Sequence, residues 1–284
     1  MEKQQYNLET IRHSLAHILA AAVQELYPQV KLGIGPAIDN GFYYDFDFSP
    51  TGKVLSSQDL LNIERQMREI LKRNLLFQRE IISGADQAKE IFKDHPLKIE
   101  LIDDLQKAGQ VPQITIWRTG KFVDLCRGPH VNSTNDIPAE AFKLTKIAGA
   151  YWKGLETNQM LTRIYGLAFA SKDELDAFIK IEQEAEKRDH RKLGKELDLF
   201  HIDEEVGLGL ALWHPKGAIL WRVIEDFWFD QHLKNGYELV RTPHIGRRRL
   251  WERSGHWGFY SESMYPPMEV GQSLADSKEQ KKPA

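Results

Sequence analysis

Two short motifs a hundred residues apart set the strongest demand on any fold this chain can adopt. His13 and His17 stand in RHSLAHIL, and Cys126 and His130 stand in FVDLCRGPHV. The first pair lies one turn apart on one face of a helix. The second cannot lie in a helix interior, because Gly128 and Pro129 interrupt it. A fold that uses all four must press a helix face against a distant turn. Together they offer three imidazoles and a thiol, a set able to bind a metal or to hold and activate a water. With 10 histidines in 284 residues, roughly 0.35 HxxxH pairs arise by chance, and both motifs together have a random likelihood near roughly 0.01, so the surrounding sequence must decide.

The patterning around them is mixed α+β. Asn7 is an N-cap for a helix to about Tyr27, with an apolar stripe of Ile11, Leu15, Ile18, Leu19, Ala22, Val23 and Leu26. The two histidines fall outside that stripe, flanked by Ala16, Ala20 and Ala21, which leaves room for something to approach. Gly33, Gly35, Pro36, Asn40 and Gly41 punctuate the next stretch, and FYYDFDF reads as a strand. Ser56 with Asp59 forms a capping box for a second helix, and Ser83 with Asp86 does the same for a short third one. Residues 99–124 hold the strand candidates ITIWR and KFVDL. KLTKIAGAYWKG and MLTRIYGLAFA read as two more strands. Ser171 and Glu174 cap a long helix, polar around most of its circumference, that suits a connector. An amphipathic helix then covers about Lys216 to Lys234 and leads into a strand, YELVRTPHI. The final GQSLADSKEQKKPA is expected to be disordered.

The bulk numbers narrow the classes. Hydrophobic content of 42% with 28% charged residues is that of a soluble globular protein. The net charge of −3 carries no global basic field, which leaves RNA contact to local patches. No apolar run approaches a membrane span, and the polar N-terminus lacks a signal core. A single cysteine fits a reducing, cytoplasmic setting.

In order, IRHSLAHILA, IGPAIDNGFYYDFDF, FVDLCRGPHV, AGAYWKG with RIYGLAFA, and EAEKRDHRKLGKELDLF resemble a bacterial-type threonyl-tRNA synthetase over about residues 7–270. The resemblance implies three parts: an editing domain with mainly antiparallel sheet over 1–170, a linker helix over 171–197, and the start of a class II aminoacylation domain over 198–270. The tail is 271–284. In the last part the aromatic helix, Pro243 and LWERSGHWGFY look like the first class II motif, which implies a homodimer. The family's ubiquitin-like domain is not found ahead of residue 7. Nor are the motifs that hold ATP, Mg and the synthetic-site zinc, so the expectation is a fragment that does not aminoacylate tRNA.

The activity implied for the editing part is hydrolysis of mischarged seryl-tRNA(Thr), with tRNA(Thr) as partner. Serine lacks one methyl of threonine, which a single pocket discriminates by only ~1–3 kcal/mol. By the same resemblance His13 positions or activates the water, and Lys98 stabilises the oxyanion or orients the water. His17, Asp124, Cys126 and His130 line the serine pocket, Asp124 facing the substrate ammonium. Trp117 stands where the family often has tyrosine. Zinc on His13, His17, Cys126 and His130 is a competent alternative, as in the related alanyl editing domains, although the threonyl family is thought to edit without it. Each residue also has a plainer reading: Cys126 as a small buried hydrophobe, Lys98 as a surface lysine, Asp124 as a turn residue. The basic clusters Arg188, His190, Arg191, Lys192, Lys195 and Arg247, Arg248, Arg249 read equally as solvated faces or as tRNA-backbone contacts. Two competing functions stay open: a freestanding zinc-dependent trans-editing hydrolase, and an inactive tRNA-binding or dimerisation module.

Overall fold

The computed structural model describes residues 6–109 and 113–268. In chain order the first part contains α1 (Leu8–Leu26), β1 (Lys31–Leu32), β2 (Ala37–Ile38), β3 (Gly41–Asp47), α2 (Ser57–Lys72) and β4 (Phe77–Ser83). It continues with α3 (Ala85–Ile91), α4 (Pro96–Lys107), β5 (Gln113–Thr119), β6 (Phe122–Leu125), β7 (Phe142–Tyr151), β8 (Met160–Ala168) and α5 (Lys172–Lys187). Beyond it lie α6 (His190–Glu196), β9 (Phe200–Ile202), β10 (Ala211–Trp213), α7 (Pro215–Lys234), α8 (Arg249–Arg253) and α9 (His256–Tyr260). The chain divides into two compact units between Asp189 and His190.

In the first unit, β1, β3, β8 and β7 form an antiparallel sheet in that order, with β2 also paired to β3. Strand β3 shows why: Phe42, Tyr44 and Phe46 point into the core while Tyr43 and Asp45 alternate to the other face, where Asp45 is buried as well. On that outer face Arg163 of β8 grips the Asp45 carboxylate with two nitrogens at 2.6 and 2.8 Å. Helix α1 packs against both α2 and β3, and α2 against β7. Leu15, Ile18 and Leu19 meet Ile63, Met67 and Ile70 there, all essentially inaccessible. Each such side chain contributes about 1.5–3 kcal/mol of hydrophobic stabilisation. The sheet is close-packed enough that a Cβ on Gly41 would stand 1.9 Å from the Gly166 carbonyl oxygen.

A second antiparallel sheet, β4–β5–β6, places the chemistry. Along β6, Val123 and Leu125 join Ile102, Ile114 and Ile116 in a core under α3 and α4. Phe122 and Asp124 alternate to the opposite side and are buried there. The same alternation puts Trp117 of β5 directly across from Asp124.

Several expectations need correction. Helix α1 carries Asn7 as its cap, accepting from the Thr10 N–H at 2.8 Å, but it is buried over far more than one stripe. Ala16, Ala20 and Ala21 are packed, so the alanine face leaves no room and only His13 stays half-buried. The Ser56–Asp59 capping box is present, whereas α3 is entered from Gly84 at φ +97° with no side-chain cap, so Ser83 and Asp86 form no box. Residues 96–107 are a helix, with Pro96 in its first turn, ahead of the strands expected in that stretch. The long connector helix is two helices, because its halves pack on different units: Leu175 of α5 is buried in the first, and Gly194 of α6 is pressed on Phe200 in the second.

In the second unit, β9 and β10 form a hairpin followed by α7, close to the expected helix. YELVRTPHI forms no strand, since among the described residues it has no ladder partner. Ile219, Trp221, Phe227 and Trp228 of α7 are all more than half exposed. The expected disordered tail, 271–284, lies outside the described residues. No helix among those described is long and apolar enough to cross a membrane.

Candidate active site

Helix α1 and the turn after β6 meet as the two motifs require. His13, His17, Cys126 and His130 each put one ligating atom within 4.8 Å of all the others. The Cys126 Sγ lies 3.1 Å from His13 Nε2 and 3.5 Å from His130 Nε2. The turn that delivers Cys126 and His130 needs glycine at 128: its φ is +76°, and a Cβ there would stand 2.7 Å from the Trp117 ring. Gly128 N–H in turn donates to the Cys126 sulfur at 3.2 Å.

Below the cluster lies a buried charged network. Asp124, 2% exposed, accepts from Tyr44 OH at 2.7 Å and from the Leu125 N–H at 2.8 Å. Its other strong partner is the Lys98 ammonium, from a lysine only 1% exposed. His17 Nε2 stands 3.5 Å from the same carboxylate. The surface-lysine reading of Lys98 and the turn-residue reading of Asp124 both fail here. Tyr44 belongs to the site and was not legible as such in FYYDFDF. The available signal was weak: a tyrosine at an inward position of a strand must find a partner for its hydroxyl.

Electrostatics keep the cluster neutral. Burial lowers the pKa of His13, and lowers those of His17 and His130 far more. The same desolvation pushes the Cys126 thiol up to about 12. Burial and the adjacent Asp124 charge hold Tyr44 well above its ordinary value.

Hydrogen bonds fix which nitrogen carries the proton in two of the neutral rings, His13 and His130. His13 Nδ1 faces the Pro129 carbonyl at 3.2 Å, which can only accept, so its Nε2 bears the lone pair. Ser14 Oγ spends its proton on the Thr10 carbonyl at 2.8 Å, so it accepts from His130 Nδ1 at 3.1 Å and leaves His130 Nε2 as a lone pair. His17 Nε2 stands 3.5 Å from the Asp124 carboxylate, and its Nδ1 has no partner among the described residues. Three imidazole lone pairs therefore share one neutral S–H. A cluster this poor in donors is chemically suited to water, an ammonium or a metal ion. The donor set and its outer hydrogen bonds fit zinc as well.

His13 opens onto a cleft of ≈ 310 Å³ walled by Asn7, Thr10, Pro36, Ala37 and Gly128 among others. His17, His130 and Asp124 are buried. Trp117 meets the His130 ring edge-on at 4.7 Å, and its indole N–H has no partner among the described residues.

The fold thus sets a helix-borne histidine pair against a Cys-x-x-x-His turn on an antiparallel α+β scaffold. The profile of the threonyl and alanyl tRNA synthetase second additional domain matches residues 114–165. The wider chain is homologous to bacterial threonine--tRNA ligases. It is 53% identical over 264 residues to those of Borreliella afzelii (strain PKo) and Dehalococcoides mccartyi (strain CBDB1), matches that take in 92% and 93% of this chain. It spans 44% of the length of either relative.

Proposed function

We propose that the first unit hydrolyses the ester of seryl-tRNA(Thr), releasing serine and the free tRNA. The observation that carries this reading is the donor-poor cluster of three neutral imidazoles and a thiol, of which His13 lines an open cleft. A neutral His13 whose Nε2 lone pair faces the Cys126 sulfur at 3.1 Å, and not a backbone group, is a competent general base near pH 7. A water there gives its proton to His13 as its oxygen bonds to the ester carbonyl carbon. When the tetrahedral intermediate collapses, the bond to the ribose oxygen breaks and that oxygen takes the proton back.

Lys98 is assigned the stabilisation of the developing oxyanion by its positive charge. Asp124 is saturated by Lys98, Tyr44 and Leu125, which supports a role in fixing the Lys98 ammonium and the His17 ring rather than in meeting the substrate ammonium directly. His17, Cys126 and His130, clustered with His13, are assigned the seating of the serine side chain and the exclusion of threonine's extra methyl. The tRNA(Thr) partner follows from the same reading. The exposed aromatic face of α7 is the proposed surface for a second copy of the chain, which sedimentation equilibrium at micromolar concentration tests by returning a dimer or a monomer mass.

A second reading has its own support: the same four atoms fit a zinc ion, which when bound would supply a polarised water. One assay separates the readings. Serine release is followed from pre-charged Ser-tRNA(Thr), with Thr-tRNA(Thr) and His13→Ala as controls, before and after exhaustive chelation, with metal content measured. Release of serine, sparing of threonine and a dead His13→Ala at negligible zinc content support the metal-free hydrolase. Loss on chelation with recovery on zinc supports the second reading. No release from folded protein refutes both.

A further inference from the structure

A serine wholly buried in the middle of a helix needs an explanation, because its hydroxyl is unfavourable there without partners. Ser14 sits between the two histidines of RHSLAH and is 0% exposed. It has three partners, all within 3.1 Å. Its hydroxyl donates to the Thr10 carbonyl one turn back at 2.8 Å. That spends the only proton it has, so both remaining contacts must be accepted. They come from His130 Nδ1 and from the Val131 N–H, each at 3.1 Å. One oxygen on α1 thus ties down the end of the Cys-x-x-x-His turn and dictates the state of the ring it carries.

We infer that Ser14 is a positioning residue that locks His130 in the Nδ1–H tautomer, so that Nε2 enters the site as a hydrogen-bond acceptor. Without this contact the ring is free to carry its proton on Nε2, 3.5 Å from Cys126 Sγ. The thiol would then face a second donor where it now faces an acceptor. The site would lose one of its three lone pairs and its order of preference for donor-bearing ligands. Phe77 stacked on the His130 ring at 5.1 Å and Trp117 edge-on to it restrict the ring plane but carry no hydrogen-bond instruction at Nδ1. Among the described residues, the tautomer therefore rests on Ser14 as the one contact on that nitrogen. The consequence for catalysis rests on the hydrolase reading above, whereas the tautomer itself does not.

The test uses the full chain labelled with ¹⁵N-histidine and long-range ¹H–¹⁵N correlation at pH 7.5. In the wild type His130 is expected to show a protonated Nδ1 and an unprotonated Nε2. Ser14→Ala is expected to move it toward Nε2–H or to a mixture, and Ser14→Thr, which keeps the hydroxyl, to restore the wild-type pattern. Ser14→Ala should also lower kcat for seryl ester hydrolysis by about ten- to a hundredfold, the usual scale for loss of such an orienting partner, with little change in KM. An unchanged His130 pattern in a folded Ser14→Ala protein, or an Nε2–H pattern in the wild type, overturns the inference. Should Ser14→Thr prove too bulky to fold, the Ser14→Ala spectrum decides by itself. A wild type with the stated tautomer but no serine release would sink the hydrolase reading and leave the tautomer lock standing.

Discussion

The Lys98–Asp124 pair should respond to mutation in a way that an ordinary ion pair does not. Both side chains are all but inaccessible, and Asp124 also receives Tyr44 OH and the Leu125 N–H. Asp124→Asn keeps the shape and removes the charge. It leaves the Lys98 ammonium buried against a neutral amide, and removal of one partner from a buried pair costs about 3–5 kcal/mol. The weakened Tyr44 bond overlaps with that figure and is not added to it. Fluorescence would blur the result, since five of the seven tryptophans lie in the second unit. Hydrogen exchange resolves it: the slowest amides of β3 and β8 should exchange about 10²- to 10³·⁷-fold faster, each decade being about 1.4 kcal/mol. The companion variant is Asp124→Asn with Lys98→Met, which removes the stranded charge and should be more stable than Asp124→Asn alone. A loss below about 1 kcal/mol for the single variant refutes the reasoning. So does a double variant that costs the full sum of its parts.

Two further outcomes follow from the same structure. Folded His17 and His130 have pKa values far below the ordinary histidine value because they are buried, so acid protonates them only after unfolding. The unfolded chain then binds more protons below about pH 6.5, and stability should fall by about 2.5 kcal/mol for the two rings between pH 7 and 5.5. A flat denaturation midpoint over that interval would count against neutral, buried rings. Gly41→Ala should destabilise the first unit by about 1–3 kcal/mol or more, because the strands must part to seat the methyl. The added Cβ would otherwise lie 1.9 Å from the Gly166 oxygen. An unshifted thermal midpoint contradicts the close approach of β3 and β8.

Much of the fold was readable from local pattern, because it rests on short-range chemistry. Asn7 and the Ser56–Asp59 pair announce their helices by satisfying orphan N–H groups within a few residues. The alternation of Phe42, Tyr44 and Phe46 announces a strand with an apolar face buried. What failed was contextual. YELVRTPHI has strand-forming residues but no partner to pair with among those described, and a strand is not a property of one segment. The charged run after Ser171 reads as one helix because nothing local reveals that Leu175 and Gly194 bury themselves in separate units.

The candidate site divides in the same way. The sequence by itself determined the reactive groups and their local geometry: a histidine pair one turn apart on a helix, and a cysteine and a histidine held on a Gly-Pro turn. Those follow from bonds and dihedrals a few residues long. Only the tertiary structure decided their protonation and their partners. Tyr44, Lys98 and Asp124 come from a strand, a helix and another strand, and nothing in their spacing couples them. Their burial, and the single proton of Ser14, set which atoms accept and which donate. Desolvation and long-range hydrogen bonding exist only once the chain has closed around them.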